Sequence, residues 1–254
     1  MVVESLIKPE WVAKNPVYSL YLGITLAFIG TSIGLFVFPD QASFAGLLFI
    51  TIAAVPFLQK VVDFETEAGQ IIQNFWKRNR KTALIYGLFF LGVTLTYLIW
   101  SIILPKAAAA FFFDRQIVAL SQPTVLGFFS QAAQTFFAIL INNLKVLALV
   151  LLLSFIYGMG SILVIAWNAS VLGVFIGSFG SYIGFAEFIP HTSLEFTGFF
   201  FAAMAGGLLS MAFDHNRTEF GSDKFYQAIE DSSALFILGV ILIAAAALVE
   251  IRLF

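Results

Sequence analysis

The chain has no cysteine, which removes a disulfide framework, thiolate metal sites and a cysteine nucleophile together. Charge is equally scarce. Lys and Arg number 13 and Asp and Glu 15, so 11% of the residues are charged, against about 25% in soluble domains. The net charge of −2 leaves no basic domain of the kind nucleic acid demands. Histidine occurs only at His191 and His215. A zinc site takes three or four ligands, and the topology derived below puts the two histidines at opposite faces of a membrane, so no metal or other cofactor is expected.

What the chain does have is apolar surface. Of its 254 residues 60% are hydrophobic and 31 are phenylalanine, and the mean hydropathy is +0.96. That composition belongs to a bilayer, and the expected fold is all-α: a polytopic integral membrane helical bundle of about seven transmembrane helices. Residues 1–14 alternate charge with apolar groups around Pro9, as an interfacial segment with Trp11 at headgroup depth would. Asn15 and Pro16 signal a helix start, and the first apolar helix, about Pro16 to Phe38, is expected to be a retained anchor, because no small-residue cleavage site follows it. Pro39 and Asp40 turn the chain into a second, shorter helix at about Ser43 to Gln59. An amphipathic stretch, Val61 to Trp76, continues it, with Val61, Phe64, Ala68, Ile71, Ile72 and Phe75 on one face. The N-terminal hairpin, residues 1–59, is thus read as one region and residues 60–254 as a second.

Lys77, Arg78, Arg80 and Lys81 directly precede the third apolar helix, Ala83 to Leu104. Four cations abutting a span mark the cytoplasmic side, and they also suit anionic lipid or a cytoplasmic partner. Residues 106–133 read as an interfacial element on the outer face. The fourth helix runs from about Gln134 to Tyr157, the fifth to about Tyr182, the sixth from Pro190 to Phe213, and the seventh from Ser232 and Ser233, as caps, to the C-terminus. With the basic cluster inside, Lys8, Lys14, Lys60, Arg217 and Lys224 are also cytoplasmic, while Lys106, Arg115 and Arg252 lie outside. The expectation is a multi-pass plasma-membrane protein with its N-terminus in the cytoplasm and its C-terminus outside.

The fourth to seventh helices carry polar groups that lipid does not welcome: Asn142, Asn143, Lys145, Asn168, His191, Glu195 and Glu250. A lysine or carboxylate at mid-bilayer costs about 2.5 to 3.5 kcal/mol even on the lenient insertion scale, so these groups are expected to converge as a polar seam inside the bundle. Lys145 is expected to pair with Glu195 or Glu250, and Asn168 to bond to the fourth helix. Such a seam fixes helix register without chemistry, or lines a ligand or partner site. His191 and Glu195 share a helix face but form neither a zincin motif nor a triad, so no catalytic residue is assigned. Gly173 and Gly177 form a GxxxG that packs helices within the chain or offers a homo-oligomer face.

In order and type, several of these residues resemble the stage II sporulation protein M family. They are Asn142-Asn143-x-Lys145-Val146, the Gly158 and Gly160 turn, Asn168 before Gly173, Ile189-Pro190-His191 with Glu195, Ala203 and Gly206, and a last helix ending in Ala246 to Glu250. The resemblance covers about residues 64–254. Thr192 departs from it, standing where the family usually has glycine. Glu4-Ser5-Leu6-Ile7, Pro9 and the extra hairpin look like archaeal members. Bacterial members are multispanning platforms that work with peptidoglycan-degrading partners, so the resemblance implies a non-enzymatic membrane scaffold recruiting an unknown membrane or cytoplasmic protein, in contact with membrane lipids. An archaeal cell would lack that wall substrate. Two further readings come from the residues alone: a transporter or small-molecule binder using the seam, and an intramembrane hydrolase.

Overall fold

A computed structural model describes residues 7–69, 74–121, 131–157, 162–179, 185–214 and 218–253. The regular elements of the described residues are all helices, with no strand among them. That is the solution lipid enforces, since a helix satisfies its own backbone donors and acceptors where no water is available. The elements are α1 (Pro9–Lys14), α2 (Val17–Val37), a short turn at Pro39–Gln41, α3 (Ala42–Gly69), α4 (Phe75–Ile103), α5 (Lys106–Phe112), α6 (Asp114–Ser121), α7 (Gln131–Tyr157), α8 (Ile162–Phe179), α9 (Phe185–Phe213) and α10 (Asp223–Leu253). Among the described residues six segments are long and apolar enough to cross a membrane: Val17–Val37, Pro39–Val61, Phe75–Ile103, Phe136–Ile156, Pro190–Phe213 and Asp223–Ile251. A seventh, Ile162–Ser178, is apolar but shorter.

Local signals account for most boundaries. The Asn15 side-chain oxygen accepts the Val17 N–H at 3.1 Å, and Asn74 opens α4 in the same way by accepting the Lys77 N–H at 3.1 Å, each satisfying a donor the first turn leaves free. Helix α3 continues through Pro56 into the amphipathic stretch as expected, and is described as far as Gly69. Two other expected boundaries move. Helix α9 starts at Phe185, ahead of Pro190. Helix α10 starts at Asp223, because Ser222, after Gly221 at φ +80, takes the Phe225 N–H at 3.3 Å. Ser232 is therefore not a cap but a buried interior residue, whose hydroxyl donates to the Ala205 carbonyl at 2.8 Å. The described part of the expected interfacial element after Pro105 holds α5 and α6. Phe113 between them is buried rather than interfacial. The Gly158 to Gly160 turn and His215 lie outside the described residues.

The chain divides into two compact units, Met1–Leu120 with Ile162–Phe179, and Ser121–Ser161 with Gly180–Phe254. Helix α8 packs on α3 and α4 and so joins the N-terminal helices of the first unit.

Within the first unit, helices meet where side chains are missing. A Cβ added to Gly92 would stand 2.3 Å from the Leu20 carbonyl oxygen, and one on Gly23 would stand 2.5 Å from that of Phe89. The α2 and α4 backbones are thus in direct contact, and α2 meets α3 likewise at Gly30 and Gly34. Gly173 and Gly177 of α8 lie against Thr94, Tyr97, Leu98 and Ser101 of α4. This GxxxG is occupied inside the chain, the first of the two readings its spacing allows. In the second unit α9 packs on α7 and α10, with Gly206 against Leu151 and Ser154, and Gly198 against Gly239.

Since lipid supplies no hydrophobic force between helices, these crossings hold by van der Waals contact, and over-packing one costs about 1 to 3 kcal/mol. Gly92→Val is expected to destabilise the bundle by about 1 to 3 kcal/mol, seen as a lower unfolding midpoint in detergent. Gly87→Ala, where a Cβ meets nothing within 4 Å, is expected to leave the midpoint unchanged or to raise it. Circular-dichroism melts compare the two.

Candidate functional site

Helix α7 carries three of the seam residues and sorts them by its own geometry. At about 100° per residue, Asn143 and Lys145 lie about 200° apart, on opposite sides of the cylinder. Asn143 heads an inward stripe with Leu147, Val150 and Ser154, all three completely buried. Asn142 and Lys145 belong to the opposite stripe, where they are exposed together with Leu149, Leu152 and Ile156.

Asn143 meets Glu195 of α9, its Nδ2 donating to the carboxylate Oε1. Glu195 is largely enclosed, and the Glu250 carboxylate of α10 lies within its electrostatic reach. His191, one turn before Glu195, and Thr192 are buried at 7% and 4% exposure. The seam therefore forms in part, as a cluster of α7, α9 and α10 around one interhelical hydrogen bond. Among the described residues no group of three or more histidine and acidic side chains is placed to hold a metal ion. Chemically the Asn143 to Glu195 bond tethers α7 to α9 and sets their axial register.

Two expected members are elsewhere. Lys145 forms neither an ion pair nor a hydrogen bond among the described residues, so its pairing with Glu195 or Glu250 is not made. The reason is the 200° step from Asn143: one helix cannot turn both residues toward the same neighbour. Asn168 belongs to the first unit, and its Nδ2 donates to the Val164 carbonyl of its own helix at 2.8 Å, a local acceptor that a short amide finds one turn back.

A polar cluster that sequence reasoning missed lies in the first unit. Gln116, fully buried, donates through Nε2 to Ser170 Oγ at 3.1 Å, and Ser170 donates to the Trp167 carbonyl at 2.7 Å. The Ser43 hydroxyl shares its proton between Gln116 Oε1 at 2.7 Å and the Phe112 carbonyl at 2.6 Å. One glutamine thus ties α3, α6 and α8 together. Its only sequence signal is a neutral amide beside the charged pair Asp114 and Arg115, which does not separate a core residue from a surface one.

The four cations of the basic cluster occupy the first two turns of α4, with Lys77 and Arg80 exposed. This is the helix end whose dipole disfavours positive charge, so helix stability does not explain them.

Interhelical polar contacts in membranes contribute about 0.6 kcal/mol on average and about 1.7 at most. A double-mutant cycle of Asn143→Ala and Glu195→Ala is expected to return a coupling within that range in detergent unfolding. Lys145→Met, on the exposed stripe, is expected to shift stability by less than about 0.5 kcal/mol. A larger loss from Lys145→Met than from Asn143→Ala would mean that the lysine is the inward group.

The family model of stage II sporulation protein M matches residues 101–251. No curated protein and no solved structure gives a match. The matched stretch covers more than half of the chain and contains both partners of the Asn143 to Glu195 bond, and the protein belongs to the stage II sporulation protein M family.

Proposed function

We propose that the protein is a non-enzymatic assembly platform of the plasma membrane, which recruits a partner protein and does no chemistry of its own. The observation that carries this reading is the engagement of Asn143 with Glu195. The half-buried polar pair of the second unit joins two helices, as a register device would. Family membership supports the same reading. The basic cluster adds a second contact: Lys77, Arg78, Arg80 and Lys81 at the start of α4 suit anionic headgroups or an acidic partner surface on the cytoplasmic side.

Purification from native membranes after crosslinking is expected to retain a stoichiometric protein partner. A chain that comes through alone with a reproducibly bound small solute would overturn the platform in favour of a carrier.

Orientation has its own check, which the cysteine-free sequence makes simple. In intact cells a membrane-impermeant maleimide is expected to label Lys106→Cys but to reach Arg80→Cys only after lysis. The reverse pattern would invert the proposed topology.

A further inference from the structure

The outward stripe of α7 poses a problem that the helix does not solve by itself. The apolar segment Phe136–Ile156 places Lys145 nine residues from one end and eleven from the other, about 14 and 16 Å at about 1.5 Å per residue. That is the middle of a hydrocarbon layer about 30 Å thick. Lysines that reach headgroups do so from near helix ends, and Lys145 is as far from either end as this span allows. Its ammonium has no ion-pair or hydrogen-bond partner among the described residues. Beside it on the same stripe are the exposed amide of Asn142 and the exposed apolar side chains of Leu149, Leu152 and Ile156. The cluster of Asn143, Glu195 and Glu250 does not serve it, because Asn143 faces the other way.

From this we infer that the Asn142 and Lys145 stripe of α7 is the seat of a partner's transmembrane helix carrying an aspartate or glutamate at mid-depth; the inference rests on the platform reading above and names the surface the platform uses. Charge complementarity selects the occupant. In hydrocarbon an ammonium is satisfied by an anion brought to its own depth, and only a second helix brings one there. Asn142, three residues away on the same face, adds a donor and an acceptor for the rest of the carboxylate or for a partner backbone carbonyl. Leu149, Leu152 and Ile156 continue the contact as an apolar strip that an ordinary transmembrane helix covers. A second copy docked through the same stripe is disfavoured, because a two-fold contact sets each patch against itself and would oppose Lys145 to Lys145 at equal depth.

The test uses the full chain in its native membranes, with a photo-crosslinking amino acid at position 149 and, in parallel, Lys145→Met, Lys145→Arg and wild type purified by affinity tag. The expected result is an adduct between position 149 and a different membrane protein, through a segment bearing Asp or Glu. Recovery of that protein should fall at least tenfold in Lys145→Met and be retained in Lys145→Arg. Circular dichroism of the purified Lys145→Met chain, expected to match wild type, separates loss of docking from loss of fold. An adduct to a second copy, to another segment of the same chain or to lipid alone overturns the inference, and so does equal recovery from Lys145→Met and wild type. A partner that co-purifies but crosslinks only from elsewhere sinks this docking face and leaves the platform standing. Absence of both partner and adduct sinks both.

Discussion

In lipid, two helices gain little by hiding apolar side chains from their surroundings, because the surroundings are equally apolar. What remains is contact at short range, and the bundle obtains it by omitting side chains where helices cross. Gly23 and Gly92 let α2 and α4 touch backbone to backbone, Gly30 and Gly34 do the same for α2 and α3, and Gly173 and Gly177 seat α8 on α4. In the second unit Gly206, Gly198 and Gly239 play that part. Every other feature is positioned by these approaches, including which polar groups come within hydrogen-bond reach.

The polar contacts then select one register among those the small residues allow. Sliding α7 along α9 by one turn would keep much of the apolar contact but would part Asn143 from Glu195 and leave an enclosed carboxylate without its donor, which costs more than the bond itself contributes. Gln116 acts similarly in the first unit, where its amide answers to Ser43 and Ser170 on two other helices. Ser19, donating to the Ile85 carbonyl at 2.7 Å, does so between α2 and α4. These are modest energies, yet each is available in only one alignment.

For function, the main consequence lies on α7. The same helix presents a committed amide to its neighbours and an uncommitted amide and ammonium to the outside. The platform proposed above would use both: a bundle that holds its own shape, and a surface left incomplete until something docks. The cationic start of α4, unfavourable to its own helix dipole, is a second place where the sequence departs from what the isolated helix prefers.

Much of this was legible in the chain alone. Long apolar runs, the Asn15 start signal and the scarcity of charge determined an all-helical membrane bundle, because only helices or closed barrels keep a backbone satisfied in hydrocarbon. The order Asn142, Asn143, Lys145, His191, Glu195 was enough to indicate the family. Partnership was not legible, since a list of polar residues in apolar helices does not say which way each one faces or what lies opposite. Only the packing decided that Asn143 meets Glu195, that Asn168 turns back on its own helix, that Lys145 faces outward, and that α8 joins the N-terminal helices. The physical reason is that local sequence specifies a helix through bonds within four residues, whereas the choice of neighbour depends on where two distant backbones can touch.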